Sequence, residues 1–268
     1  MSDTASLTLH AIDLQDEDAQ GLPLLVIHGL MGSADNWRSH LKQWQGERRV
    51  IAVDLRNHGR SPHAEGMRYE TMSEDVIALL DRLGLERVHV LGHSMGGKVA
   101  MTLARMAPER VASLIVADIA PVTYGHGHDD VFAALERVRE GKPRNRREAD
   151  ELLAEHVDSR ATRLFLATNL VKGESGVLAL RVGLDEIKAG YPDIIGEPDG
   201  EGAYEGPTLL LRGDASHYVT NDMLPAVRAI LPRVRVVTIK QAGHWLHADQ
   251  PAAFQQAVSS FLAAHSAS

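Results

Sequence analysis

The chain has 268 residues, enough for one large α/β domain or for a domain carrying an insertion. Its formal net charge of −8 argues against a nucleic-acid surface, and one short basic run in mid-chain does not reverse that. There is no cysteine, which excludes disulfide and thiol chemistry and fits a reducing compartment. Residues Met1 to His10 show neither the basic nor the apolar region of a secretory signal. No stretch is long and apolar enough to span a bilayer, so a soluble, cytoplasmic protein with no membrane partner is expected.

Leu7 to Ile12 partly alternates apolar and polar residues and reads as an antiparallel edge strand. Leu24 to Ile27 is a continuous apolar run, expected of a strand covered on both faces. It leads into His28-Gly-Leu-Met-Gly-Ser33, whose glycines let the backbone cross the top of a sheet with amides exposed. The Leu30 N–H is the candidate oxyanion donor here, ahead of Met31 N–H, and His28 reads as structural, holding the loop by a ring hydrogen bond. Ala34 to Trp44 reads as a helix, and Val50 to Val53 as the next buried strand. The mixed charges of Asp54-Leu-Arg-Asn-His-Gly-Arg-Ser61 suggest a loop pinned by its own salt bridges. Thr71-x-x-Glu74 is a capping box for a helix with Met72, Val76, Leu79, Leu80 and Leu83 on one face.

Val88-His-Val-Leu-Gly-His-Ser94-Met-Gly-Gly-Lys-Val-Ala100 organises the rest. A buried strand is followed by small and apolar residues at helical spacing, stopped by Pro108. Gly92-x-Ser94-x-Gly96 between them is the pattern of a nucleophile elbow, whose crowded backbone requires side-chain-free positions on either side of the serine. The turn lifts the Ser94 hydroxyl above the sheet and aims the Met95 N–H at the same point, where the helix dipole favours an oxyanion. Two plainer readings compete. Serine is a preferred N-cap, and a dinucleotide-binding turn would need G-x-G-x-x-G, which is missing.

Val111 to Ala117 is a further buried strand, ending at Asp118. From 124 to 206 the character changes to short amphipathic helices, over Val131 to Val138, Ala149 to His156 and Ala161 to Leu170, with no strand alternation. This segment reads as a helical cap between two sheet strands, leaving residues 1–123 and 207–268 as the core. Gly125-His-Gly-His-Asp-Asp130 superficially suggests a metal cluster, but Asp129 or Asp130 serves better as a helix N-cap, and no metal is expected. Strands at Pro207 to Gly213 and Val234 to Ile239 follow, with a helix from Asn221 to Ile230 between them. Then come Gly243-His244 and a final helix packed through Phe254, Val258, Phe261 and Leu262.

Strands and helices that alternate with short connections give a mostly parallel, doubly wound sheet, with ligands outside the C-terminal strand ends. Leu30, Ser94, Asp118, Asp214 and His244 all lie just past such ends. They supply a nucleophile, candidate acids, a base and an oxyanion donor in the order Ser…Asp…His. Of the 14 histidines, position singles out His244, with His247 the nearest competitor and read as a helix cap or surface residue.

On His28-Gly-Leu-Met-Gly-Ser33, Asp54-Leu-Arg-Asn-His-Gly-Arg-Ser61, Gly92-His-Ser-Met-Gly-Gly-Lys98, Asp118-Ile-Ala-Pro-Val122, Asn169-Leu-Val171 and Gly243-His244, the chain resembles the α/β-hydrolase superfamily. Within it the chain is similar to the small ybfF-type esterases. The resemblance implies an α/β-hydrolase fold, with an eight-stranded sheet and a cap between strands 6 and 7. Many α/β-hydrolases place their acid where Ser216 stands here. The resemblance to the ybfF type favours Asp118 instead, with Asp214 the alternative.

A serine carboxylesterase for small acyl esters, possible thioesters included, is the leading expectation, with a small-molecule ester as partner and no cofactor. A C–C bond hydrolase or perhydrolase would use a very similar triad, and a silent ligand-binding relative is the alternative from another class.

Overall fold

The computed structural model describes residues 6–266. The chain begins with β1 (Ala11–Leu14), β2 (Gly21–Ile27), α1 (Arg38–Trp44), β3 (Arg48–Val53), α2 (Tyr69–Arg82), β4 (Val88–His93), α3 (Met95–Met106) and β5 (Val111–Ala117). An inserted segment then carries α4 (Asp129–Gly141), α5 (Arg146–Ala154), α6 (Arg160–Ala167), β6 (Leu170–Lys172), β7 (Leu178–Leu180), α7 (Leu184–Ala189) and α8 (Tyr191–Ile195). The chain returns to the sheet with β8 (Thr208–Gly213), α9 (Leu224–Ile230), β9 (Val234–Ile239), α10 (Leu246–Asp249) and α11 (Pro251–Ala264).

The main sheet runs β1-β3-β2-β4-β5-β8-β9, with β1 antiparallel to β3 and every other pair parallel. Its central strands are apolar on both faces because both are covered. Leu25, Ile27, Val90, Leu114 and Val116 face α2 and α3. Leu24, Val26, Leu91, Ile115 and Ala117 face the opposite way, toward α1 and α11, where Trp37, Trp44, Phe254 and Phe261 pack. Burying each larger side chain of this kind stabilises the fold by about 1.5–3 kcal/mol.

The sheet has seven strands among the described residues, not eight, and the insertion lies between its fifth and sixth strands rather than its sixth and seventh. The N-terminal strand is also shifted, spanning Ala11–Leu14 rather than Leu7 to Ile12. The Leu7 amide donates to Asp75 Oδ1 and the His10 amide to Ser61 Oγ, so side chains take the donors that a strand would give to a ladder. Of residues 6–14, only Ala11–Leu14 pairs with β3.

Three further expectations shift. α2 starts at Tyr69, ahead of the Thr71–Glu74 box, because a distant residue does the capping: Asp199 Oδ2 accepts from the Glu70 amide at 3.0 Å. The Ala34–Trp44 helix divides into a 3-10 turn over Ala34–Trp37 and α1. The insertion is not wholly helical, since β6 and β7 form an antiparallel pair of three residues each, too short to show alternation.

Candidate active site

Ser94 lies between β4 and α3 with φ 54° and ψ −123°, a conformation that costs a non-glycine residue about 1–3 kcal/mol. Its surroundings hold it there. The Ser94 amide donates to Ala117 O on β5, and Ser94 O accepts from the Gly97 amide. A Cβ at Gly92 would lie 2.1 Å from Gly96 O, and one at Gly96 would lie 2.3 Å from His28 O. Both glycines are therefore required by close backbone approach. Gly29 abuts the serine as well, its absent Cβ falling 3.1 Å from Ser94 Cβ, so the loop after β2 runs directly against the elbow.

His244 follows β9. Its Nε2 is 2.9 Å from Ser94 Oγ and its Nδ1 is 2.7 Å from Asp118 Oδ2. The carboxylate can only accept, so Nδ1 carries the proton and Nε2 is free to accept from the serine. Asp118, at the end of β5, is fully buried with φ 54°. Its Oδ1 accepts from the Gly213 amide and its Oδ2 from Ser216 Oγ. Asp214 is directed elsewhere: its Oδ1 accepts from the Ala242 amide at 3.3 Å, bracing the loop that carries His244. Of the two candidate acids, the fold brings Asp118 to the histidine and not Asp214.

The Met31 amide is committed to His58 Nε2 at 3.1 Å. The amides of Leu30 and Met95 donate to no group among the described residues, and Leu30, Met95 and Ser94 line one cavity. The loop carrying Leu30 is fixed by buried neutral histidines. His28 donates from Nδ1 to Gly29 O and accepts at Nε2 from the Leu55 amide. His58 donates from Nδ1 to Arg56 O, and burial pushes its pKa down to about 3. His28 is thus structural, as expected. The ion pairs of the Asp54–Ser61 loop run outside it, with Arg56 forked onto Asp75 of α2 at 2.7 and 3.0 Å and Asp54 bonded to His10, while within the loop Asp54 Oδ2 accepts from the Arg60 amide at 2.9 Å.

Several participants had little or no sequence signal. The Tyr218 ring stacks on His244 with centroids 3.7 Å apart, and the Tyr218 carbonyl accepts from Tyr124 Oη. His93 donates from Nε2 to His244 O. His93 adjoins the serine and Ser216 lies two residues past Asp214, so those two could have been found; nothing marked Tyr218. His247 is neither cap nor surface: it is 8% exposed and stacked on Trp37, with centroids 4.3 Å apart. His128 bonds Tyr191 Oη at 2.6 Å and itself precedes α4 as its N-cap residue, with Asp129 already inside the helix.

Two cavities of about 250 and 180 Å³ meet at Ser94, Leu30, His128 and Tyr218. The larger is lined by Trp37, Val131, Phe165, Leu166 and Trp245. The smaller is lined by Tyr69, Lys98, Ile119, Tyr124, Ile194 and Ile195. No described helix is long and apolar enough to cross a membrane.

Comparison with known proteins agrees with this architecture. The sn-1-specific diacylglycerol lipase ABHD11 of Mus musculus is 41% identical over 259 residues, covering 94% of this chain and 84% of that protein. Esterase YbfF of Escherichia coli is 34% identical over 241 residues, covering 90% and 92%. The solved structure of a marine microorganism esterase superposes with a TM-score of 0.91 at 37% identity, covering 96% of this chain and all of that one. The family model described as the alpha/beta hydrolase fold matches residues 23–251. By sequence and by fold, the chain belongs to the α/β-hydrolase family.

Proposed function

We propose that the protein is a serine carboxylesterase with Ser94 as nucleophile, His244 as general base and acid, and Asp118 as the orienting carboxylate. The observation that carries this reading is the continuous chain Ser94 Oγ–His244–Asp118, at 2.9 and 2.7 Å, opening on two cavities beside two uncommitted amides. Ser94 Oγ attacks the ester carbonyl as His244 Nε2 takes its proton. The Met95 and Leu30 amides receive the oxyanion, and buried Asp118 stabilises the imidazolium. His244 returns the proton to the departing alcohol, leaving an acyl-enzyme on Ser94. Water then gives its proton to His244 and attacks the acyl carbon, releasing the acid and restoring the serine. No step calls on a cofactor.

Residues 124–206 act in this reading as a cap that supplies much of the substrate surface, through Val131, Phe165, Ile194 and Ile195. Each cavity is smaller than the roughly 300–1,000 Å³ typical of drug-sized pockets, which favours short acyl groups and small alcohols. A second substrate class, diacylglycerols, is favoured by the activity in the name of the 41%-identical mouse relative.

Hydrolysis of p-nitrophenyl esters from acetate to palmitate, by the wild type and Ser94→Ala, tests both. Activity peaking at short chains, with kcat reduced by about 10⁶ in the mutant and no fluorophosphonate adduct, is the expected result. A peak at long, emulsified chains would favour the glyceride class. A wild type inert on all esters would turn attention to C–C hydrolysis or ligand binding.

A further inference from the structure

Lys98 is one helical turn beyond Ser94 on α3, and it is 1% exposed. A buried ammonium normally requires a counter-charge, yet this one enters no salt bridge among the described residues. Its Nζ donates instead to three carbonyl oxygens: Val122 O at 2.8 Å, Ile195 O at 3.4 Å and Gly196 O. It also lies 4.7 Å from the Tyr124 ring centroid and 5.7 Å from that of Tyr69.

The carbonyls belong to the segment that walls the smaller cavity. Ile194 and Ile195 close one side and Tyr124 another, and the Tyr124 amide donates to Ile195 O. Tyr69 Oη bonds Ile194 O from α2, and Arg105, two turns further along α3, donates to Gly200 O and Gly202 O. Lys98 is the cation where these strands of chain converge.

We infer that Lys98 is a positioning residue for ester hydrolysis: its ammonium clamps the 194–196 segment and the Val122 carbonyl onto the helix that carries the nucleophile, and so sets the shape of the smaller cavity. The inference rests on the esterase reading.

The clamp is sensitive to charge. Burial pulls the Lys98 pKa down to about 8, opposed by the nearby Glu197. A neutral amine has one N–H fewer, so deprotonation leaves one of the three carbonyls without its donor and alters the wall of the smaller cavity. The other groups facing it are Tyr69, Tyr124, Glu197, His128, His217 and Tyr218, with Asp193 and Asp199 behind Tyr69. Burial raises the pKa values of Tyr69 and Tyr124, the latter to about 12, and lowers that of His128, so none of these three titrates near 8. The Lys98 titration itself raises global stability between its folded and unfolded pKa values, because the unfolded lysine holds its proton longer. Loss of substrate affinity in that window therefore does not come from unfolding through Lys98.

The test is the pH dependence of kcat and KM for the wild type, Lys98→Met and Lys98→Arg, with esters varied on the acyl and on the alcohol side. For the esters that fill the smaller cavity, the wild-type KM rises as pH passes about 8. Lys98→Met raises KM about tenfold at neutral pH, more than it lowers kcat, and removes the rise. Lys98→Arg keeps a low KM at both pH values. A methionine variant with the wild-type KM and pH profile overturns the inference, whereas a wild type that cleaves no ester overturns the esterase reading instead. Hydrogen exchange in the wild type needs no variant to fold: opening of the clamp releases Lys98 to water and restores its proton affinity, so protection of 194–202 should rise through pH 8 after correction for intrinsic rates, and constant or falling protection overturns the clamp.

Discussion

The crest of the sheet and the inserted segment solve the problem of holding a chain in place by opposite means. The crest collects backbone strain. Met31, Asn57, Ser94, Asp118 and Gln241, all non-glycine residues at positive φ, lie in the loops at the C-terminal strand ends. Of these, Met31, Asn57 and Asp118 are buried, and tertiary hydrogen bonds dictate their conformation, such as Asp118 N to Leu211 O at 2.7 Å. In the described insertion the only non-glycine residues at positive φ are Lys142 and Ser175, both at exposed turns. Its helices instead follow local rules. Asn145 and Ser159 cap α5 and α6 with their side chains, and exposed pairs such as Arg137–Glu155 and Arg147–Glu151 decorate the surface. Strain persists where buried packing over-determines the backbone, and that is where the proposed nucleophile and its carboxylate stand.

Substitutions should separate the two regimes, with effects that shrink from crest to insertion. Asp118→Asn is expected to lower kcat by about 10⁴, because His244 would lose its orienting acceptor, while Asp214→Asn stays within about tenfold of wild type. Steady-state kinetics on a short ester checks both, and a reversed order would exchange the acid assignment. Gly92→Ala drives a methyl into Gly96 O and is expected to destabilise the chain by about 3 kcal/mol, read from the urea midpoint. A near-neutral result would mean the elbow is softer than its contacts imply. Asn145→Ala removes the α5 cap and should cost about 1 kcal/mol in the same assay, with kcat unchanged. An Asn145→Ala loss as large as that of Gly92→Ala would erase the distinction between the regions.

Much of the core was legible because its signals are local. Continuous apolar runs marked β2, β3, β4, β5 and β8, and the spacing of glycines about Ser94 marked the elbow. The N-terminal strand was displaced by a few residues, because Asp75 and Ser61 capture the Leu7 and His10 amides from far along the chain. The start of α2 was misread for a similar reason: its first-turn amide is satisfied by Asp199, 129 residues away in sequence. His247 went unrecognised because a stacking partner at Trp37 leaves no local pattern.

The sequence by itself determined the α/β alternation, the corner at Ser94 and the histidine after the last strand, since each depends on residues within a few positions of one another. Which carboxylate meets His244 was decided only by tertiary structure. Asp118 and Asp214 both follow parallel strands, and their side-chain directions are set by the backbone just beyond. For Asp118 that backbone is turned to φ 54° and held by Leu211 on the neighbouring strand, with Gly213 and Ser216 donating to its carboxylate. For Asp214 the amide is held by Ile239 and the carboxylate by Ala242. These contacts join residues that are distant in the chain, so no local spacing encodes the choice.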